Sequence, residues 1–230
     1  MNQIQAVIFD HDGTMVDSET ARRNATAQFV MESCGMDLAN EHYRLMMRVI
    51  GRHEPTQLLM KHYPISGELE ALSARRLELF QEEWERWKLM PGVREVLGRA
   101  SKMGLKLGVA SNSEGDYVCR SLDTVGVLEM FDVVVGREDL VKSNGKPDPE
   151  IYQIAADRLE ASPENCVVFE DAPSGVYSAR DAGIGRIIYV SDGRYSEPFC
   201  SDAHVNLKSM CEVSEATFRK EILGSGERLF

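Results

Sequence analysis

The chain has 230 residues, 43% hydrophobic and 27% charged, enough to bury the core of one large domain or two modest ones. Its formal net charge of −11 argues against the basic footprint of a nucleic-acid binder, and an anionic substrate would have to be attracted by local groups against the global field. No apolar stretch approaches the ~18 residues of a membrane span. Met1-Asn2-Gln3 leads into the first strand without the basic region and apolar run of a signal peptide. The five scattered cysteines (Cys34, Cys119, Cys166, Cys200, Cys211) form no Cys-x-x-Cys pair and fit reduced thiols, so a cytoplasmic protein is expected.

The first strand is Ala6-Val7-Ile8-Phe9, an unbroken apolar run suited to burial on both faces of a parallel sheet. It runs into Asp10-His11-Asp12-Gly13-Thr14. The pattern then turns helical from about Ser18 to Cys34, with further helical segments near Asn40–Val49, Pro55–His62 and Ser66–Lys88 and no strand-like run among them. This predicts an all-helical module over residues 18–90, inserted into a core made of 1–17 and 91–230. After Met90-Pro91-Gly92 helices and strands alternate: helix Val93–Met103, strand Leu105–Ala110, helix about Gly115–Val125, strand Asp132–Val135, helix Pro149–Arg158, strand Cys166–Phe169, helix about Ser174–Ala182 and strand Ile187–Val190. Such alternation indicates right-handed βαβ units, an α/β fold with helices on both faces of a parallel sheet. The tail from Ser191 is weakly patterned, with one closing helix expected near Ser214–Ile222.

In this topology the polar clusters after the strands share one sheet edge, where open α/β sheets bind ligands. They are Asp10 and Asp12, Ser111-Asn112-Ser113, Gly145-Lys146-Pro147-Asp148 and Glu170-Asp171. Taken singly each has an ordinary reading. Asp10 to Gly13 could be a polar turn, Ser111 a helix cap, Lys146 a solvated lysine, and Glu170-Asp171 a solvated acidic pair or cap. Asp148-Pro149 reads as a cap followed by a proline in the first helical turn. Gly175 suits either a close backbone approach or a helix start.

Taken together they suit one reaction. If Asp10 attacks a phosphate ester, a carboxylate and a dianion at ~4 Å repel by roughly 8 kcal/mol at an effective dielectric of ~20. A hard divalent cation, Mg²⁺, held by Asp10, a carbonyl of the following turn and Asp171, would offset that repulsion. Lys146 would neutralise a further phosphate oxygen and Ser111 would donate to another. Asp12 would give a proton to the leaving alcohol and later take one from water, around an aspartyl-phosphate intermediate.

In this order the four clusters resemble the motifs of the haloacid dehalogenase-like (HAD) hydrolase superfamily. The phrases Val16-Asp17-Ser18-Glu19, Met90-Pro91-Gly92, Gly145-Lys146-Pro147-Asp148-Pro149 and Phe169-Glu170-Asp171-Ala172-Pro173-Ser174-Gly175 resemble its β-phosphoglucomutase-like phosphatases, which carry a helical cap. The resemblance covers about Ile4 to Val190. It implies a Rossmann-like core with strand order 5-4-1-2-3, Mg²⁺ dependence, Asp10 as nucleophile and Asp12 as acid/base with its carbonyl on the metal. It also implies that Asn112 helps hold phosphate and that Glu170 reaches the metal directly or through water.

Two departures stand out. His11 takes a place that is usually apolar in the family, and a titrating imidazole there could tune Asp12. Arg22 stands where the mutase branch commonly has a histidine on the first cap helix, which weakens a mutase reading. Arg22, Arg23 and the Gly51-Arg52-His53-Glu54 loop are the candidates for substrate choice, Arg52 first among them, while Trp84 and Trp87 at helical spacing suit packing. The expected function is hydrolysis of a small phosphorylated metabolite, a sugar phosphate by preference. A phosphomutase is the first alternative. A dehalogenase fits less well, because that branch works without metal and lacks the acid at position 12. A non-enzymatic phosphometabolite-binding protein ranks last. The sequence carries no indication of oligomeric state.

Overall fold

A computed structural model describes residues 3–46, 53–193 and 197–223. Its main elements are β1 (Ala6–Phe9), α1 (Ser18–Cys34), α2 (Asn40–Met46), α3 (Glu54–His62), α4 (Leu69–Glu82), α5 (Val93–Lys102), β2 (Lys106–Ala110), α6 (Gly115–Thr124), β3 (Val133–Val135), α7 (Glu150–Arg158), β4 (Cys166–Glu170), α8 (Pro173–Asp181), β5 (Arg186–Val190) and β6 (Val205–Leu207). The chain divides into two compact units, one from Met1–Asp17 with Lys88–Phe230 and one from Ser18–Trp87. The second therefore ends three residues before the limit expected from the sequence. Residues 88–90 run beside 15–17 instead: Asp17 N–H donates to the Lys88 carbonyl at 3.0 Å and Met90 N–H to that of Met15 at 2.8 Å.

In the first unit six strands, all parallel, lie in the order β3-β2-β1-β4-β5-β6. The first five follow the expected order read from the other end. β6 is an addition, a three-residue edge strand with only Leu207 buried, too short to print a period on the sequence. β1 is central because its four side chains are all fully buried and both faces need cover. Ala6 and Ile8 join Ile151, Tyr152 and Ala155 of α7 and Val176 and Ala179 of α8 in one apolar cluster. Val7 and Phe9 take the opposite face by the two-residue period, and Phe9 stacks on Phe169 at 5.0 Å. α5 and α6, packed on β2 and β3, bury Val96, Leu97, Val118 and Leu122 outside that cluster and cover this other face. Burying Val7, Ile8 and Phe9 contributes roughly 1.5–3 kcal/mol each, which offsets the cost of ending the strand in carboxylates.

The same period continues past the strand. Asp10, whose N–H still donates to the Phe169 carbonyl at 2.9 Å, follows Ile8 toward α7 and α8. His11 follows Phe9 toward α6. One residue of register thus sends the carboxylate and the imidazole to opposite sides of the sheet.

The second unit is helical, with Phe29, Val30, Tyr43, Leu59, Tyr63 and Leu79 in its core. The long helix expected over 66–88 stops at Glu82 and tightens into a 3₁₀ turn at Trp84–Arg86. That turn sets Trp84 against Trp87 at 5.5 Å and Trp87 against Phe80 at 5.6 Å, so the tryptophans serve packing. The helix expected to reach Val49 is described only to Met46. In the tail Ser214 caps a short turn, Glu215–Thr217, that widens into a π-type turn at Phe218–Ile222. No described helix is long and apolar enough to cross a membrane.

Candidate active site

The site is assembled from loops after β1, β2, β3 and β4. After β1, Met15 N–H donates back to the His11 carbonyl at 2.9 Å and Gly13 N–H to that of Val16 at 3.0 Å, folding a tight turn. Gly13 adopts φ +84°, and a Cβ there would lie 2.3 Å from Asp171 Oδ2, so only glycine suits the position. Thr14 Oγ1 donates to Asp171 Oδ1 at 3.2 Å, tying the first loop to the fourth.

Lys146 is the hub. Its ammonium donates to Asp10 Oδ1 at 2.5 Å and to Glu170 Oε1 at 2.6 Å, and lies 4.9 Å from the centre of the Tyr152 ring. Burial alone would lower its pKa, but the Asp10 and Glu170 carboxylates reverse this and hold it above the usual lysine range. Lys146 is therefore a buried charged group, and the solvated-lysine reading does not hold. Glu170 is saturated with donors: Lys146 and the Tyr152 hydroxyl at 2.8 Å on Oε1, and the backbone N–H groups of Asp171 at 3.0 Å and Ala172 at 3.1 Å on Oε2. It packs so closely on α8 that a Cβ at Gly175 would overlap Oε1 at 1.7 Å, which selects close approach for that glycine.

Asp10, Glu170 and Asp171 each offer an oxygen within 4.8 Å of the others, and the ammonium of Lys146 pairs with the first two. Two are buried and Asp171 is half-buried. Three hard oxygen donors gathered this closely suit a divalent cation. Burial pushes the Asp10 carboxyl from an ordinary 3.8 up to about 7; Lys146 opposes the rise, while Glu170 and Asp12 add to it. Without metal, Asp10 therefore holds a proton in the folded chain where the unfolded chain has lost it. Its contribution to stability is complete below about pH 4 and is lost as pH rises through about 7. Thermal melts of metal-free protein and of Asp10→Asn are expected to diverge across this range, with the wild type losing ground as pH rises. A divalent cation should raise the wild-type midpoint more at pH 8 than at pH 5, since metal and proton compete for the same oxygens. A constant difference between the two proteins across the range would contradict this.

Ser111 is buried beyond β2, and its Oγ accepts from Ser113 N–H at 3.1 Å. The helix begins only at Gly115, so Ser111 is not its cap. Asn112 Oδ1 accepts from Lys146 N–H at 2.9 Å, bracing the loop that presents the lysine. Asp148 Oδ1 accepts from Glu150 N–H at 3.2 Å in the first turn of α7, a local capping contact.

Asp12 turns toward the α6 side. Its Oδ2 accepts from Ser113 Oγ at 2.8 Å and its Oδ1 from the Tyr117 hydroxyl at 2.9 Å. His11 Nδ1 lies 3.3 Å from Oδ2, and Nε2 lies 2.8 Å from Ser121 Oγ. Ser113 lay within a cluster the sequence singles out, but Tyr117 and Tyr152 did not. Both reach the site from helices, where the hydrophobic period gives no sign of a hydroxyl's partner.

The substrate-choice candidates belong to the helical unit. Arg22 Nη1 lies 3.7 Å from Glu19 Oε1, and its guanidinium lies 5.3 Å from the centre of the Phe80 ring. Arg52 lies outside the described residues.

Residues 7–189 match the family model of the haloacid dehalogenase-like hydrolases. The chain is 37% identical over 185 residues to the phosphorylated carbohydrates phosphatase of Thermotoga maritima, covering 80% of this chain and 84% of that one. It is 29% identical over 227 residues to hexitol phosphatase B of Escherichia coli K12, covering 96% and 98%. Its fold superposes on a crystal structure called "putative beta-phosphoglucomutase from Thermotoga maritima" with a TM-score of 0.79, at 34% identity over 91% of this chain and 96% of that one. Motif order, sheet order and these likenesses agree: the chain belongs to the haloacid dehalogenase-like hydrolases, in the branch of the β-phosphoglucomutase-like proteins.

Proposed function

We propose that the protein is a Mg²⁺-dependent phosphatase acting on a small phosphorylated carbohydrate, with Asp10 as nucleophile and Asp12 as acid/base. The observation that carries this reading is the Asp10–Lys146–Glu170 ion cluster beside Asp171 at the sheet edge. Lys146 orients Asp10, favours its ionised form against the effect of burial, and can attract a phosphate oxygen; Ser111 and Asn112 lie on the neighbouring loop to hold others. An Asp10 oxygen bonds to phosphorus as the ester P–O bond breaks, and Asp12 gives its proton to the departing alcohol. Asp12 then takes a proton from water; the water oxygen bonds to phosphorus, the Asp10–phosphorus bond breaks, and phosphate leaves with Asp10 restored. Asp10, Asp171 and the Asp12 carbonyl would hold the metal, and Glu170, already filled with donors, would act behind them. Bound Mg²⁺ neutralises charge developing on the phosphoryl oxygens.

Phosphate release from a panel of sugar and sugar-alcohol phosphates, with Mg²⁺ and with excess chelator, tests the reading. Turnover is expected with metal and none with chelator; full activity in chelator contradicts it. Asp171→Ala is expected to raise the Mg²⁺ concentration needed for half-maximal rate by tenfold or more, on the scale of about 1.4 kcal/mol per decade. Ca²⁺ is expected to bind and inhibit, because its looser, higher coordination spoils the alignment of nucleophile and phosphorus. The likeness to a protein called a β-phosphoglucomutase favours one second reading, a phosphomutase. It would yield an isomeric phosphate in place of free phosphate and would need a bisphosphorylated intermediate.

A further inference from the structure

We infer that Tyr117 is a positioning residue for Asp12, acting with Ser113 and braced by the buried His11–Ser121 pair; the inference rests on the phosphatase reading above. The starting point is His11, a polar ring with no exposed surface at a position where an apolar side chain would complete the core. The strand period turns it to α6, where Tyr117 and Ser121 stand four residues apart on one helix face. Its Nε2 is hydrogen-bonded to Ser121 Oγ at 2.8 Å. The ring meets Tyr117 edge-on, with centroids 5.6 Å apart and planes at 76°. His11 Nδ1 lies 3.3 Å from Asp12 Oδ2 but makes no hydrogen bond, whereas two hydroxyls donate to the carboxyl. The imidazole instead packs the Tyr117 ring so that its hydroxyl reaches Asp12 Oδ1 while Ser113 Oγ takes Oδ2.

The chemistry explains why hydroxyls suit this task. Asp12 must pass through both protonation states in one turnover. An N–H can only donate, whereas a hydroxyl donates to a carboxylate and accepts from a carboxylic acid. Tyr117 and Ser113 can therefore hold the group in one rotamer before and after its proton moves to the ester oxygen, and again when a proton returns from water. An unheld carboxyl would spread over staggered rotamers and lose the alignment that proton transfer needs.

Tyr117→Phe keeps the ring against His11 and removes only the hydroxyl. The test compares kcat/KM for an alkyl phosphate, whose alkoxide leaves poorly without a proton, with that for p-nitrophenyl phosphate, whose phenolate leaves without one. Tyr117→Phe is expected to lower the alkyl value by about tenfold more than the p-nitrophenyl value, a fraction of the 10²–10⁴ that general acids contribute. Thermal melts of both proteins establish that the variant is folded. An equal loss on both esters would make Tyr117 a structural residue and overturn the inference. So would no loss on either, or a gain on the alkyl ester, which would make the hydroxyl a restraint. If the wild type hydrolyses neither ester, the phosphatase reading itself fails, a result distinct from any of these.

Discussion

Asp10→Asn is expected to lower kcat by about 10⁴-fold or more on the best phosphate ester and on p-nitrophenyl phosphate alike. The amide is close in shape to the carboxyl, but it is a poor nucleophile and a weak ligand for a hard cation. Because the Asp10–phosphorus bond must form whichever alcohol leaves, the loss should not depend on the ester, in contrast to the bias expected for Tyr117→Phe. Acid-quench trapping of wild type with labelled substrate should capture a phosphoryl group on the protein, and the variant should capture none. Retention of more than a few per cent of activity, with contaminating enzyme excluded, would rule out the covalent route.

Lys146→Met is expected to act on stability and activity together. Its ammonium is shared by two buried carboxylates, and removing it leaves Asp10 and Glu170 facing each other inside the protein. Breaking a buried pair by deleting one partner costs about 3–5 kcal/mol. Urea denaturation of metal-free protein at neutral pH should register a loss of that order. Added Mg²⁺ should restore part of it, since a cation beside Asp10 and Asp171 supplies some of the missing charge. On activity, loss of a charged group from the proposed phosphate site should lower kcat/KM by about 10²–10³-fold. A stability change below about 1 kcal/mol would mean that the cluster relaxes or takes up protons at little cost.

The fold was legible because its central strand is written without interruption and the next three strands are each followed by a polar cluster that makes sense at one edge of a parallel sheet. Residues 6–14 gave both the strand and the turn, the alternation after Pro91 gave four further strands, and their order in the sheet followed from the family resemblance. The ion cluster was legible in membership but not in wiring. No spacing in the sequence says that Lys146 bridges Asp10 and Glu170, that Asn112 braces the lysine's loop, or that Glu170 has all its near donors from protein. Tyr117 and Tyr152 were missed for a shared reason. Each sits on a helix face that packs inward, so its ring reads as core and only tertiary contact reveals the hydroxyl. β6 was missed because three residues at an edge, one of them buried, leave no pattern.

The central place of β1 also has a consequence for synthesis on the ribosome. Its partners lie far along the chain: Ala6 pairs with Lys106 on one side and with Cys166 on the other. At about 5–20 residues per second, the sixty residues between those partners take roughly 3–12 s to emerge. During that interval one edge of a wholly apolar strand has no neighbour, a template for pairing with the wrong chain. The helical segment 18–87 makes its contacts within a contiguous stretch and can form while the strand waits. Newly made chains thus remain exposed to aggregation until β4 has emerged, and the strand that carries Asp10 is the part left open.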